Sequence, residues 1–564
     1  MGQGHVQVPQ GSRPDIAVLQ ALKGFSGLER GLRFRRPRWP YCSRPWCPGN
    51  RAYLEDRNLY VPATQPLHGT SRVKVYGYGL LQRVLSLIPS AVSPGALHGK
   101  LRGKLHGIVT RLAYTAAGWE PPPAEYRSYG ALPIAVAPPS VLRDVVVVVG
   151  SGVSGLAAAL EAARFGARVI VAEAESALGG FARWLRGTDL SHTLGELLSK
   201  LSSEHSVTVM GNTSYIGLFD EGHALLGRDG VTLVGRGSPI IYAGGSEAPP
   251  FLAEGNDLPG VVSLSYALEL VVEHGYRPHK VALVGTGPWA SEAAKILARE
   301  LGRERKIYIV GSGASLDKSE LPPDAELVEA GSVRVQGAGR ASLLVAGARR
   351  LEVDMVVSAP AEYPDANPAY AAGYRAAYCS EGSFFHPEPV PVSRGELEKR
   401  SLLIPVGAAA GEFQLEGVVA SAKLGGTIAA WLRGLASEED VKAAYSEYER
   451  ASRALRCRGS GGPKPPVIMA ERPSRRIFVD FDEDVTVADV LEAWDRGYRR
   501  MELIKRATGL GTGPEQGRFS AALAAVALGF YRGADPSEVG IFRSRPPHVM
   551  PAAGLLAIAD FGSR

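Results

Sequence analysis

The sequence predicts an α/β chain built on two parallel sheets, and two observations carry that prediction. Gly150-Ser151-Gly152-Val153-Ser154-Gly155 and Gly285-Thr286-Gly287-Pro288-Trp289-Ala290 each follow a run of β-branched apolar residues and open a helical pattern. This is the strand–turn–helix order of a nucleotide-binding βαβ unit. In the first copy a second strand follows at 168–172 and ends in an acid, Glu173, which completes the unit within about 30 residues, as the full fingerprint requires.

At 564 residues the chain is long enough for several domains. Residues 1–140 lack long periodicity and are rich in Pro, Gly and Arg, and the prolines at 121–123 and 138–139 read as linker. Arg30, Arg33, Arg35, Arg36, Arg38, Arg44 and Arg51 crowd one part of this segment; a solvated or subunit-facing basic patch is favoured over a grip on nucleic acid.

The first nucleotide fold starts at 141. Gly150 allows the tight turn, Gly152 lets the backbone approach a pyrophosphate, Gly155 lets the helix pack closely, and Ser154 lies in the same turn. The helix N-terminus favours phosphate, and Glu173 is placed to accept hydrogen bonds from the two hydroxyls of an adenosine ribose. Gly180 follows in a Gly-Gly pair. Short β-like runs at 207–210, 224–226 and 231–234 suggest a small meander. An apolar strand then ends in Ala243-Gly244-Gly245, where such folds return to the dinucleotide. This first part spans 141–265.

The second fold, 266–384, reads as an insertion. Strands are expected at 281–284, 307–310 and 354–357, but Gly311 stands where the first copy has Glu173, so ribose recognition there has no acid. The chain returns to the first fold over 385–440, through a strand that ends at Gly407 and a helix at 417–435. Residues 441–475 form a helix and a Gly/Pro linker. Residues 476–564 form a small, α-rich final unit.

Several chemistries are excluded. Four cysteines, Cys42, Cys47, Cys379 and Cys457, are too few and too scattered for a disulfide framework or a complete iron–sulfur site. None lies in the helix after Gly179-Gly180, where related reductases carry their redox pair. No zinc spacing is present among the histidines, and no residue stands out as a general base or nucleophile. The sequence has neither an apolar run of membrane-spanning length nor a secretory pattern at its start, so no membrane partner and a cytoplasmic location are expected.

The order of these elements, with Asn256-Asp257-Leu258-Pro259-Gly260-Val261 after Ala243-Gly244-Gly245, resembles the flavoproteins with two Rossmann-type dinucleotide domains, the fold of the pyridine nucleotide-disulphide oxidoreductases. Phe34-Arg35-Arg36-Pro37-Arg38 is similar to part of a degenerate ferredoxin-like module. The stretches 478–489 and 504–517 resemble the α subunit of heterotetrameric sarcosine oxidase and its amine (L-proline) dehydrogenase relatives. The final unit is similar to a small [2Fe-2S] domain, but no cysteine follows Cys457, so no iron–sulfur cluster is expected.

The resemblance implies a hetero-oligomer. A β subunit of glycine/sarcosine-oxidase type would carry FAD and oxidise a secondary amine, with small accessory subunits as further partners. This chain would hold NAD (or FAD) at the Glu173 site and FMN at the subunit interface. Lys505, Arg506, Thr508, Thr512 and Gln516 are the implied donors to the FMN phosphate. The family's Arg-Tyr-Thr is Arg506-Ala507-Thr508 here, and its aminomethyltransferase-like C-terminal domain is not expected in a chain that stops at Arg564. Two other readings stay open. One is a self-contained FAD- and NAD(P)H-dependent oxidoreductase; the other is a non-catalytic scaffold stabilised by a nucleotide.

Overall fold

The computed structural model describes residues 3–22, 30–31, 40–44, 52–54, 59–61, 63, 70–77, 140–227, 230–311, 321–323, 325–452 and 469–549. Arg33, Arg35, Arg36, Arg38 and Arg51, Cys47 and Cys457, and the Gly/Pro linker at 459–466 lie outside the described residues.

The first nucleotide fold is a five-stranded parallel sheet in the order Leu403–Pro405, Ile240–Tyr242, Val146–Val149, Val169–Ala172, Val207–Met210. The central run of valines is buried on both faces, as a covered parallel sheet requires. Val146 and Val148 pack with the helices Val153–Arg164 and Leu415–Leu432. Val145, Val147 and Val149 pack on the other side against Tyr215, Leu225 and Val234. Those last residues belong to the meander Ser214–Phe219, Gly222–Gly227, Gly230–Val234, whose outer strand also pairs in parallel with Ser140–Leu142.

A second five-stranded parallel sheet has the order Val261–Ser263, Met355–Ser358, Lys280–Val284, Lys306–Gly311, Ala325–Glu329. Its first strand precedes residue 266. Two strands of this sheet, Val261–Ser263 and Ala325–Glu329, were not expected, and Val261-Val262-Ser263 is too short to show a period.

The N-terminal strands form an antiparallel sheet in which Ser71–Gly77 pairs with Gln3–Val8, Ala52–Leu54 and Arg30–Gly31. A buried polar network joins this region to the rest: Arg13 pairs with Asp15 (2.7 Å) and with Glu269, and Tyr266 donates to Asp15 (2.6 Å). The final unit combines the hairpin Phe478–Asp480/Val485–Thr486 with the helices Val487–Asp495, Met501–Thr508, Ser520–Arg532 and Pro536–Val539. Asn256 anchors it by bonding both the N–H (3.2 Å) and the carbonyl (2.8 Å) of Phe478. Cys379 is disulfide-bonded, so scattered cysteines did not preclude a bond. No helix among the described residues is long and apolar enough to cross a membrane.

Candidate nucleotide site

A cavity of about 190 Å³ opens where the first sheet meets its glycine turn. Gly150 has φ +97°, and a Cβ there would lie 2.5 Å from the Ala243 carbonyl oxygen. Gly155 is fixed more tightly still, because a Cβ would be driven into the carbonyl of Gly150. Gly152, the residue that caps the helix Val153–Arg164, has nothing within 4 Å of such an atom and faces the cavity. One glycine therefore makes the turn, one leaves room for a ligand, and one brings helix and strand together.

Glu173 follows directly on Val169–Ala172 and is buried. Its carboxylate accepts hydrogen bonds from Ser151 N (2.9 Å), Ser151 Oγ (2.5 Å) and Glu175 N (2.9 Å). The acid is thus held against the glycine turn. Ser154, Gly180, Ala243 and Gly244 also line the cavity. Gly155 and Gly407 stand behind it; Gly407 (φ +61°) approaches Ser154 so closely that a Cβ would meet its side chain at 2.5 Å.

Lys505, Arg506, Thr508, Thr512 and Gln516 are not brought to this cavity. They lie on and just beyond Met501–Thr508. Lys505 Nζ sits 4.1 Å from the centre of the Phe542 ring, and Arg506 pairs with Glu502 (3.3 Å) on the surface. The Thr508 and Thr512 hydroxyls donate to the carbonyls of Ile504 and Gly509, and Gln516 Nε2 donates to Pro547 O. The two threonine donors are therefore committed to their own backbone.

The structure also brings to the cavity residues that carried no signal in the sequence. Arg44 does not belong to a solvated patch: it lines the cavity, its Nη2 donates to Ser246 O (3.0 Å), and its Nε lies 3.4 Å from Glu247. Burial works against its charge, but the carboxylates of Glu247, Asp365 and Glu175 outweigh that, and its pKa is raised above the usual arginine value. From the final unit, Arg518 pairs with Asp365 (3.0 Å), which also accepts from Tyr242 Oη (3.0 Å). The positions of Arg44 and Arg518 depend on chain segments about 200 and 150 residues from their carboxylates, a separation that no local pattern reveals.

Glu362 accepts from Ser246 Oγ (2.7 Å), and burial together with the nearby Glu247 charge pushes its pKa up to about 8. The folded protein therefore holds this proton more tightly than the unfolded chain, whose glutamates titrate near ~4.3. The associated stability is complete below the unfolded value and is lost as pH rises towards 8. Melting temperature is expected to fall over that window, and Glu362→Gln should flatten the decline and melt higher than the parent at the alkaline end. A pH series of thermal melts on both proteins checks this; parallel curves would contradict it.

Residues 474–560 match the model of the sarcosine oxidase A3 domain, and residues 144–208 match that of the FAD dependent oxidoreductases. The chain is 24% identical over 459 residues to the sarcosine oxidase subunit alpha of Corynebacterium sp. (strain P-1), covering 73% of this chain and 45% of the relative. The chain is similar to sarcosine oxidase α subunits. To the α subunit of Rhizobium meliloti (strain 1021) it is 25% identical, over 74% of this chain and 42% of that one. It thus spans less than half the length of the sarcosine oxidase α subunits it matches. The crystal structure of L-proline dehydrogenase from P. horikoshii shares the fold, with a TM-score of 0.60 at 22% identity, covering 74% of this chain and 80% of that chain. The sarcosine oxidase A3 match takes in Arg518, and the FAD dependent oxidoreductase match takes in the glycine turn and Glu173.

Proposed function

We propose that the chain is the α subunit of a flavin-dependent secondary-amine dehydrogenase or oxidase. In this reading it holds NAD or FAD in the Glu173 cavity and presents Lys505 and Arg506 to the phosphate of an FMN shared with a β subunit, which carries FAD and the amine pocket. A bound flavin supplies the redox chemistry; the residues of this chain bind, orient and shield. The observation that carries the reading is the pairing of an open Gly152 with a buried Glu173 beside it, in a cavity completed by a unit of sarcosine oxidase A3 type. The fit of a dinucleotide is supported by the glycine that would otherwise block its phosphates and by the cation Arg44 inside the cavity. The match of residues 144–208 to FAD dependent oxidoreductases favours FAD over NAD as the occupant.

Denaturing the purified chain and identifying the released nucleotides by mass spectrometry tests this. A dinucleotide at one equivalent supports the site, and its identity decides between NAD and FAD. Glu173→Ala should release it, because the ribose loses its acceptor and the Ser151 donors lose theirs. Retention of the nucleotide in the Glu173→Ala protein would count against the assignment. Bleaching of the flavin by a secondary amine only after addition of a β subunit would support the division of labour, whereas bleaching by NADH alone would transfer the activity to this chain.

A further inference from the structure

The two-stranded ribbon Ser246–Glu247/Tyr363–Pro364 brings Glu362, the residue just before its second strand, to one wall of the cavity. Glu247 stands behind it, fully committed: it accepts from Ser265 Oγ, and Arg44 Nε lies 3.4 Å from its other oxygen. Glu362 is only 6% exposed. Its Oε2 accepts from Ser246 Oγ (2.7 Å). Its Oε1 has no hydrogen-bond partner among the described residues, yet that oxygen is not closed off inside the protein. A carboxyl more than nine-tenths buried, with one oxygen open to a cavity and unmet, calls for a partner from outside the chain.

The local charges decide what that oxygen offers. Arg44 and Glu247 are the charged groups that act on Glu362, and they already pair with each other, so a second carboxylate would have to share one cation. Burial and the Glu247 charge keep the Glu362 proton in place up to about pH 8. Because Oε2 accepts from Ser246, the proton is carried on Oε1 and is offered to the cavity. The other titratable groups around this wall have partners of their own. Asp365 pairs with Arg518, Glu175 pairs with Arg183, and Glu412 accepts from Tyr448 Oη. His386, on the strand packed against Tyr363–Pro364, has its Nδ1 2.9 Å from Pro387 O, and burial keeps the Tyr363 phenol protonated.

We infer that Glu362 is a ligand-binding residue, whose protonated carboxyl donates from Oε1 to an acceptor oxygen of the nucleotide in this cavity. A ring carbonyl, a carboxamide and a phosphate all present such an oxygen. Once ionised, the carboxylate would repel it, so affinity is full at neutral pH and falls as the proton leaves. This rests on reading the Glu173 cavity as a nucleotide site.

The test is calorimetric titration of the full chain, freed of bound nucleotide on charcoal, with FAD, NAD⁺ and ADP-ribose at pH 7 and pH 9. The parent should bind about tenfold more weakly at pH 9. Glu362→Gln, whose amide donates at either pH, should match the parent at pH 7 and lose most of the pH dependence. Glu362→Met, similar in length but without a donor, should bind about tenfold more weakly at pH 7; if it does not fold, the glutamine variant carries the test. A loss in the methionine variant that spares ADP-ribose supports an acceptor on the flavin or nicotinamide end, and a loss that includes ADP-ribose supports one on the shared half. A flat profile in the parent, an undiminished pH dependence in the glutamine variant, or parent-like affinity at pH 7 in the folded methionine variant overturns the inference and leaves the nucleotide site standing. Failure of the parent to bind any of the three ligands overturns both.

Discussion

Asp365→Ala is expected to be the most damaging single change outside the sheets. Arg518 and Asp365 are almost wholly buried, with side-chain exposures of 3% and 9%. Their pair joins the final unit to the segment that follows the second sheet. Removing one partner of a buried ion pair typically costs about 3–5 kcal/mol, because the remaining charge keeps its desolvation penalty. The alanine variant also strips Tyr242 Oη of its acceptor. Asp365→Asn keeps an acceptor oxygen for only one of the two donors, which bond different carboxylate oxygens, and should lose less than the alanine variant. Urea unfolding of the three proteins reads the effect as a shift in midpoint at unchanged slope; a shift of under about 1 kcal/mol for the alanine variant would mean that the pair is dispensable.

The second large effect separates two glycines that look alike in the motif. Gly155→Ala drives a methyl group into the Gly150 carbonyl, so the helix Val153–Arg164 must move off its sheet. Overpacking of this kind costs on the order of 1–3 kcal/mol or more, and the turn that holds Glu173 moves with it. Both stability and nucleotide retention should fall. Gly152→Ala meets no atom within 4 Å, and its φ of −66° suits any residue. Measured with both proteins freed of nucleotide, its melting temperature should stay at the parent value, while retention falls because the methyl group enters the space that a phosphate would occupy. Thermal melts beside nucleotide release on both variants check the contrast, and equal effects on stability would refute it.

The difference between these residues also explains what could be read from the amino-acid order. The turn, Glu173 and the Ala243-Gly244 return are local: each is a short run at the end of an apolar strand, and its role follows from that position. The parallel sheets were legible for the same reason, since runs such as 145–149 and 281–284 are buried on both faces. Arg44, Asp365 and Arg518 had no such context. Their roles come from tertiary contacts, and in sequence Arg44 is one arginine in a crowd of seven. Glu362 was hidden for another reason: only complete burial beside Glu247 gives a carboxylate its unusual affinity for a proton.

The strand Ile240–Tyr242 lies between Val146–Val149 and Leu403–Pro405, and its outer neighbour is made about 160 residues later. During synthesis, at about 5–20 residues per second, a wholly apolar strand edge therefore stays open for roughly 10–30 s while the second nucleotide fold emerges. Unpaired edges of this kind invite pairing with other chains. The inserted fold thus acts as a delay in the ribosome's schedule, and a nascent chain stalled before residue 403 should depend on chaperones more than one released after it.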